Sequence, residues 1–217
     1  MKTDELFNAI RQNDSAAVAV LLDEDPALLG TISHDITPIL FAVYYGYPEL
    51  AQLFVERGAQ LSLPELAALG DRRVLDGDLE TFSTDGFPLL GLAIFFRHYE
   101  LAGEMIERGA DVNARARNQV GVMPVHSAAA VRDLATMRLL LDYGADVNAR
   151  QQLGFTPLHS AASNGDGAMA DLLLARGADP QAKSDDGKTP ADIAGERGHP
   201  ELAERLRVII KSCEPSP

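Results

Sequence analysis

Apolar positions along this chain fall into short helical stripes that come in pairs. In the clearest stretch Leu158, Ala161 and Ala162 lie at i, i+3 and i+4, on one narrow face of a helix. Thr156-Pro157 precedes that stripe, and Pro suits the first turn, where its missing N–H leaves no bond unmade. Gly165 breaks the helix, and a second one carrying Leu172, Leu173 and Leu174 runs to Gly177, a residue that favours a left-handed helix ending. The same pairing is set at the N-terminus, where Leu6, Ala9 and Ile10 are followed by Val18, Leu21 and Leu22. The pattern predicts an all-α chain of helix–turn–helix units.

The pairs recur at a fixed spacing. Gly-Ala-Asp at Gly144 returns at Gly177, 33 residues on, and Leu6 to Ile39 is also 33 residues. A period in the range of about 20–50 residues marks a solenoid. Thr156-Pro157-Leu158-His159-Ser160-Ala161 matches T-P-L-H-x-A at every specified position, and Gly-Ala-Asp-Val-Asn-Ala stands at both 109–114 and 144–149. On these motifs the chain resembles the ankyrin repeat family. The resemblance covers residues 85–210 most fully. It implies an ankyrin-repeat solenoid and a non-enzymatic protein-binding module.

The units are expected at 1–33, 34–61, 62–84, 85–118, 119–150, 151–183 and 184–212, forming one domain, with 213–217 a disordered tail. The first unit lacks Thr-Pro and has Asp25-Pro26 in place of the Gly-Ala closure, so its hairpin should differ. Polar residues on its outer face (Lys2, Asp4, Glu5, Arg11, Asp14) suit a capping repeat. Gly58 to Gly109 is 51 residues, an excess of 18 over the period. The third unit is therefore read as abbreviated: one helix carrying Leu63, Leu66 and Ala67, a stunted second around Arg72–Leu75, and an irregular link. The other reading is a long inserted loop, which is uncommon in a compact array. Arg132 stands where its neighbours have a helix-ending Gly, and so should adopt φ > 0 under mild strain. The charged helix Glu201–Lys211 suits a C-terminal cap.

Net charge is −13, and residues 1–85 hold most of it, with 5 basic and 15 acidic side chains. Such a field repels phosphate backbones, so nucleic acid is not an expected partner. The single cysteine, Cys213, allows no disulfide within one chain. The start has no signal-peptide pattern, and no apolar run approaches a membrane span. A cytoplasmic protein without a membrane partner is expected.

No nucleophile, phosphate-loop, zinc or calcium motif occurs, so no catalytic residue, cofactor or metal ligand is assigned. His126 and His159 occupy one position of adjacent units, which raises a two-histidine metal site, but no Cys or carboxylate is placed to complete it. In the family this His instead bonds hairpin backbone and fixes stacking. The resemblance likewise makes Asn113 and Asn148 hairpin residues that satisfy backbone groups. Arg115, Arg150 and Lys183 form a basic ladder at equivalent positions. That ladder reads as a solvated edge or, with Arg117, as a contact for an acidic partner or for the chain's own acidic N-terminal half.

The candidate site is aromatic. Positions off the stripe hold Ser160, Ser163 and Asn164 in the sixth unit, but Phe41, Tyr44 and Tyr45 in the second and Leu92, Phe95 and Phe96 in the fourth. In the resembled family the last two of each set vary and touch partners on the concave face. Tyr44, Tyr45, Phe95 and Phe96, with Ile36 and Phe87 at hairpin positions, would form a groove for a partner protein. Alternatively these rings fill space left by the short third unit, and their exposure separates the two readings. Other possibilities are homo-oligomerisation through the groove in place of a monomer, and an enzyme or small-ligand site in the irregular segment 62–86.

Overall fold

The computed structural model describes residues 2–213. Six helix–turn–helix pairs and one abbreviated unit follow in order. They are α1 (Lys2–Arg11) with α2 (Ser15–Glu24), and α3 (Pro38–Tyr44) with α4 (Pro48–Glu56). After α5 (Leu63–Leu69) come α6 (Leu89–Phe95) with α7 (Tyr99–Glu107), and α8 (Pro124–Val131) with α9 (Leu134–Asp142). The array closes with α10 (Pro157–Asn164) and α11 (Gly167–Ala175), then α12 (Pro190–Glu196) and α13 (Pro200–Cys213). Each first helix packs on the first helix of the next unit, as a stacked solenoid requires. The last helix includes Cys213, the first residue of the expected tail; residues 214–217 lie outside those described.

The irregularities have local causes. Asp25-Pro26 opens a 3₁₀ turn, Pro26–Gly30, in which the Asp25 carboxylate caps Ala27 N–H. In the third unit the second helix shrinks to a 3₁₀ turn, Arg72–Asp76, so no second-layer helix stands between α4 and α7. The segment is a stunted repeat and not a loop, because Val74 and Leu75 still give it an apolar side that is buried. Arg132 sits in the left-handed region at φ 60°, and Arg97 does the same at φ 67° where α6 ends.

The buried side chains divide into two clusters. Leu6, Ile10, Val18, Leu22, Ile39, Leu50 and Phe54 belong to the first two units. A second cluster begins at Leu66 and continues to Leu206. Leu61 packs against both. The third unit contributes to both sides: Leu66, Ala67, Val74 and Leu75 belong to the larger cluster, and Leu69 packs on the smaller.

Polar ties carry the stacking from unit to unit. His126 Nε2 donates to Ala149 O at 3.1 Å while its Nδ1 accepts from Met123 N–H at 3.2 Å. His159 repeats this with Lys188 O and Thr156 N–H. Both nitrogens of each ring are thereby engaged with backbone, so neither is free to bind an ion. Burial holds both rings below the ordinary imidazole pKa, His126 at about 4. Asn113 donates to Gly144 O and accepts from Asp146 N–H, and Asn148 does the same one unit on with Gly177 O and Asp179 N–H. These amides bridge to the next hairpin.

Candidate interaction surface

The first-helix face changes character along the stack. Units two and four put large side chains on it, whereas the fifth and sixth units put Ser127, Ala130, Ser160 and Ser163 at the equivalent positions. The step from large to small leaves a cavity of about 260 Å³. Tyr44 lines it from α3, Phe87, Gly91, Leu92 and Phe95 from the fourth unit, and Val122, His126, Ser127, Ala130, Gln151 and Ser160 from the units beyond. Its lining is overwhelmingly apolar.

The four expected groove rings separate into two roles. Tyr45 is 42% exposed and Phe95 47% exposed. Tyr44 and Phe96 are half-buried and pack on the larger core cluster, with ring centroids 5.4 Å apart. They come together beside the third unit, whose α5 carries the smaller Ala68 and Leu69 at the equivalent positions. Phe87 lies 6.4 Å from Tyr44, and Phe95 meets the edge of Phe96 at 5.3 Å. Tyr45 belongs instead to a run of rings linking Phe7, Phe41, Tyr45 and Tyr47 on the N-terminal side.

The Tyr44 hydroxyl is buried with the Asp85 carboxylate beside it, and among the described residues it makes no hydrogen bond of good geometry. Burial, with the nearby Asp85 carboxylate adding to it, drives its pKa above the ordinary phenol range. Asp85 accepts from Ser83 Oγ, and Phe87 N–H donates to the same Ser83 hydroxyl at 2.9 Å. Ser184, Asp186 and Lys188 repeat this turn before α12, where the serine hydroxyl draws the Asp186 pKa down.

The remaining expected residues do not join this surface. Ile36 is half-buried in its own turn, bridged to Ser33. Arg115 Nη1 donates to Arg150 O at 2.7 Å, and Arg150 Nη2 donates to Lys183 O at 2.9 Å. The first two members of the ladder therefore tie hairpin to hairpin. Gly121 and Gly154, both at positive φ, lie under these guanidinium groups, and a Cβ on either would strike one. Arg117 stacks on Phe82 with its guanidinium 3.7 Å from the ring centroid. The irregular segment 62–86 contributes nothing to the cavity lining; its neighbourhood holds a polar, open recess at Gly70, Arg72, Arg97 and His98.

Sequence reasoning missed the small residues that make the cavity. The signal was present in the register: aligned on Gly86, Gly121 and Gly154, Gly91 stands where the next two units carry His126 and His159. The fourth unit thus lacks the imidazole that bolts its successors. Also missed were His98 and His199, whose Nε2 atoms bond Ala68 O at 2.9 Å and Ser163 O at 3.2 Å. Gly70 and Gly165 make room for these rings.

Comparison with known proteins gives the following. A family profile described as ankyrin repeats (3 copies) matches residues 90–184 and 125–214. The chain is similar to ankyrin repeat and SAM domain-containing protein 6 of Rattus norvegicus, 34% identical over 154 residues. It is similar to the Mus musculus protein of the same name at 37% over 154 residues. Each match covers 68% of this chain and only 16% of the relative. Among the described residues no helix is long and apolar enough to cross a membrane.

Proposed function

The chain belongs to the ankyrin repeat family, and on that premise we propose that it is a non-enzymatic module that binds a partner protein on its first-helix face. Ankyrin repeats are generally protein–protein interaction modules. The observation that carries the reading is the exposure of two large rings at the ends of first helices, Tyr45 of the second unit and Phe95 of the fourth, with Phe95 beside an apolar cavity. Exposed aromatic surface next to a recess is the usual composition of a binding hot spot. Half-buried Phe87 and Tyr44 support the same surface from beneath. The partner brings an apolar anchor to the rings and basic residues toward the first 85 residues, whose net charge is −10.

Replacing Tyr45 and Phe95 together with Ala tests this. Both side chains are exposed, so the helical signal and melting behaviour should stay while capture of a partner from the source cell falls at least tenfold. Capture at full strength by the double variant would remove these rings from the site.

A further inference from the structure

The joint between the second and third units is built unlike those beyond it. Among the described residues one hydrogen bond crosses it, from Thr37 Oγ1 to the Glu65 carboxylate at 2.7 Å. The next joint is tied at several points along its length. His98 Nε2 donates to Ala68 O at 2.9 Å, Arg108 Nη1 donates to Leu75 O at 3.2 Å, and Glu80 accepts from Asp111 N–H at 3.0 Å. Arg72 also pairs with Glu104 there.

The helical layers differ in the same way. Second helices pack in succession, α2 on α4, α7 on α9 and α9 on α11, but between α4 and α7 stands only the 3₁₀ turn Arg72–Asp76. A recess of about 250 Å³ remains at the joint, between Val43 and Pro48 of the second unit, Leu69 of the third, and Phe96 and His98 of the fourth. The first two units therefore meet the rest along the first-helix layer, where α3 lies on α5 and the Tyr44 ring reaches Phe87 and Phe96. Packing on one layer with open space beside it permits rotation, which two continuous layers resist. The chain crosses the joint in residues 57–62, a link without helix or strand, and such a link can absorb the change in φ and ψ. Apolar and ring contacts are non-directional and survive a small change of angle, whereas a hydrogen bond does not. The bond between Thr37 and Glu65 is thus the tie that fixes the angle.

We propose that this joint is a hinge: residues 2–56 turn as one body on residues 63–213, with the Thr37–Glu65 bond as the brake and the recess as the room to move. Tyr45 stands on the first body and Phe95 on the second, so the bend sets the distance between the two exposed rings. The use of that distance to fit a partner rests on the protein-binding reading; the hinge itself does not.

Spin-label distances in the full chain test this. Cys213 is the one native cysteine, so Cys213→Ser gives a background into which label sites can be placed. Glu56→Cys with Asp142→Cys spans the joint, and Glu107→Cys with Val208→Cys spans the same number of units beyond it. All four positions are exposed and occupy equivalent places on second helices. Double electron–electron resonance should give a distance distribution roughly twofold broader for the first pair than for the second. Thr37→Val should broaden or shift the first distribution and leave the second as it was. Equally narrow distributions for both pairs would overturn the hinge. A broad first pair that Thr37→Val leaves unchanged would overturn the bond's part as the brake. The larger reading fails separately: a chain that bends but captures no protein keeps the hinge and loses the binding module, and a chain that captures a partner with both distributions narrow does the reverse.

Discussion

The hydroxyl of Thr37 donates to the carboxylate of Glu65 at 2.7 Å, and this bond crosses the level at which the hydrophobic core divides. Glu65 is buried and also accepts from the backbone N–H and hydroxyl of Ser62, each at 2.7 Å. Three donors converge on one carboxylate where apolar contact is thinnest. Units one and two meet the rest of the array through this knot, the packing of α3 on α5, Leu61, Leu69 and Tyr44. In a repeat array, stability is a sum of units and nearest-neighbour interfaces, and a weak interface lets the two sides unfold apart.

Glu65→Ala should therefore uncouple the N-terminal units. The change leaves three donors without their acceptor, a cost of about 2–4 kcal/mol. In urea the natural chain should lose the structure of residues 2–56 first, and the variant should widen the interval between the two transitions. Hydrogen exchange resolved by residue checks this: equal protection of α3 and α10 in both proteins would contradict a divided core.

Acid should weaken the C-terminal half through its buried histidines. His126 titrates at about 4 in the folded chain, chiefly from burial, with Arg115 pushing the same way, against about 6.5 unfolded. Its neutral form is the one the fold needs, since Nδ1 accepts from Met123 N–H. The unfolded chain takes up the proton first as pH falls, so this contribution is complete above pH 6.5 and is lost on the way to pH 4. Its size is roughly 3 kcal/mol. His159 is lowered for the same reason, so His126→Gln should flatten the pH dependence of stability between 6.5 and 4 without abolishing it. An unaltered slope in urea melts across that range would clear His126 of the role.

Much of this fold is legible in sequence because a repeat states its packing rule more than once. The stripe Leu158, Ala161, Ala162 and the closing Gly177 describe a unit locally, and the 33-residue spacing carries the description along the chain. Even the shortened third unit announces itself, since Leu63, Leu66 and Ala67 keep the stripe after the second helix has gone. What periodicity does not report is the direction in which a side chain leans. Tyr44 and Tyr45 are neighbours at aromatic-rich positions, yet one turns inward to Phe96 and the other stays in solvent. The cavity is harder still to foresee, because it is made by the small side chains of Ser127, Ala130 and Ser160 facing large ones in the fourth unit. Arg115 and Arg150 read as surface charge for a related reason: their targets are carbonyl oxygens of another hairpin, which no residue type marks.

Gly154→Ala should loosen the hairpin ladder. Gly154 adopts φ 70°, and an added Cβ would meet the Arg150 guanidinium and, at 3.1 Å, the Asp185 backbone nitrogen. The substitution combines left-handed strain with loss of the Arg150 to Lys183 bond, for a total of about 2–3 kcal/mol. Arg150→Ala removes the bond but not the turn and should cost about 1 kcal/mol. Thermal melts of the two variants should rank in that order; the reverse order would mean that the guanidinium, and not the glycine conformation, sets the turn.

Tyr44→Phe should leave the protein as stable as before or raise its stability by up to about 1 kcal/mol. Among the described residues the buried hydroxyl makes no hydrogen bond of good geometry, with only the Asp85 carboxylate beside it, so the folded state carries most of its desolvation, and removing the oxygen relieves that penalty. The ring itself is needed: it packs on Phe96 and Phe87 over the short third unit, and Tyr44→Ala should lose about 2–4 kcal/mol as a cavity opens there. Tyr45→Ala, at an exposed position, should stay within about 0.5 kcal/mol of the natural chain. Urea titrations of the three variants decide the assignment. A Tyr44→Phe protein less stable than the natural chain by more than about 1 kcal/mol would mean that the hydroxyl bonds Asp85 in solution, and the inward tyrosine would then belong to a polar network and not to the apolar packing beside the third unit.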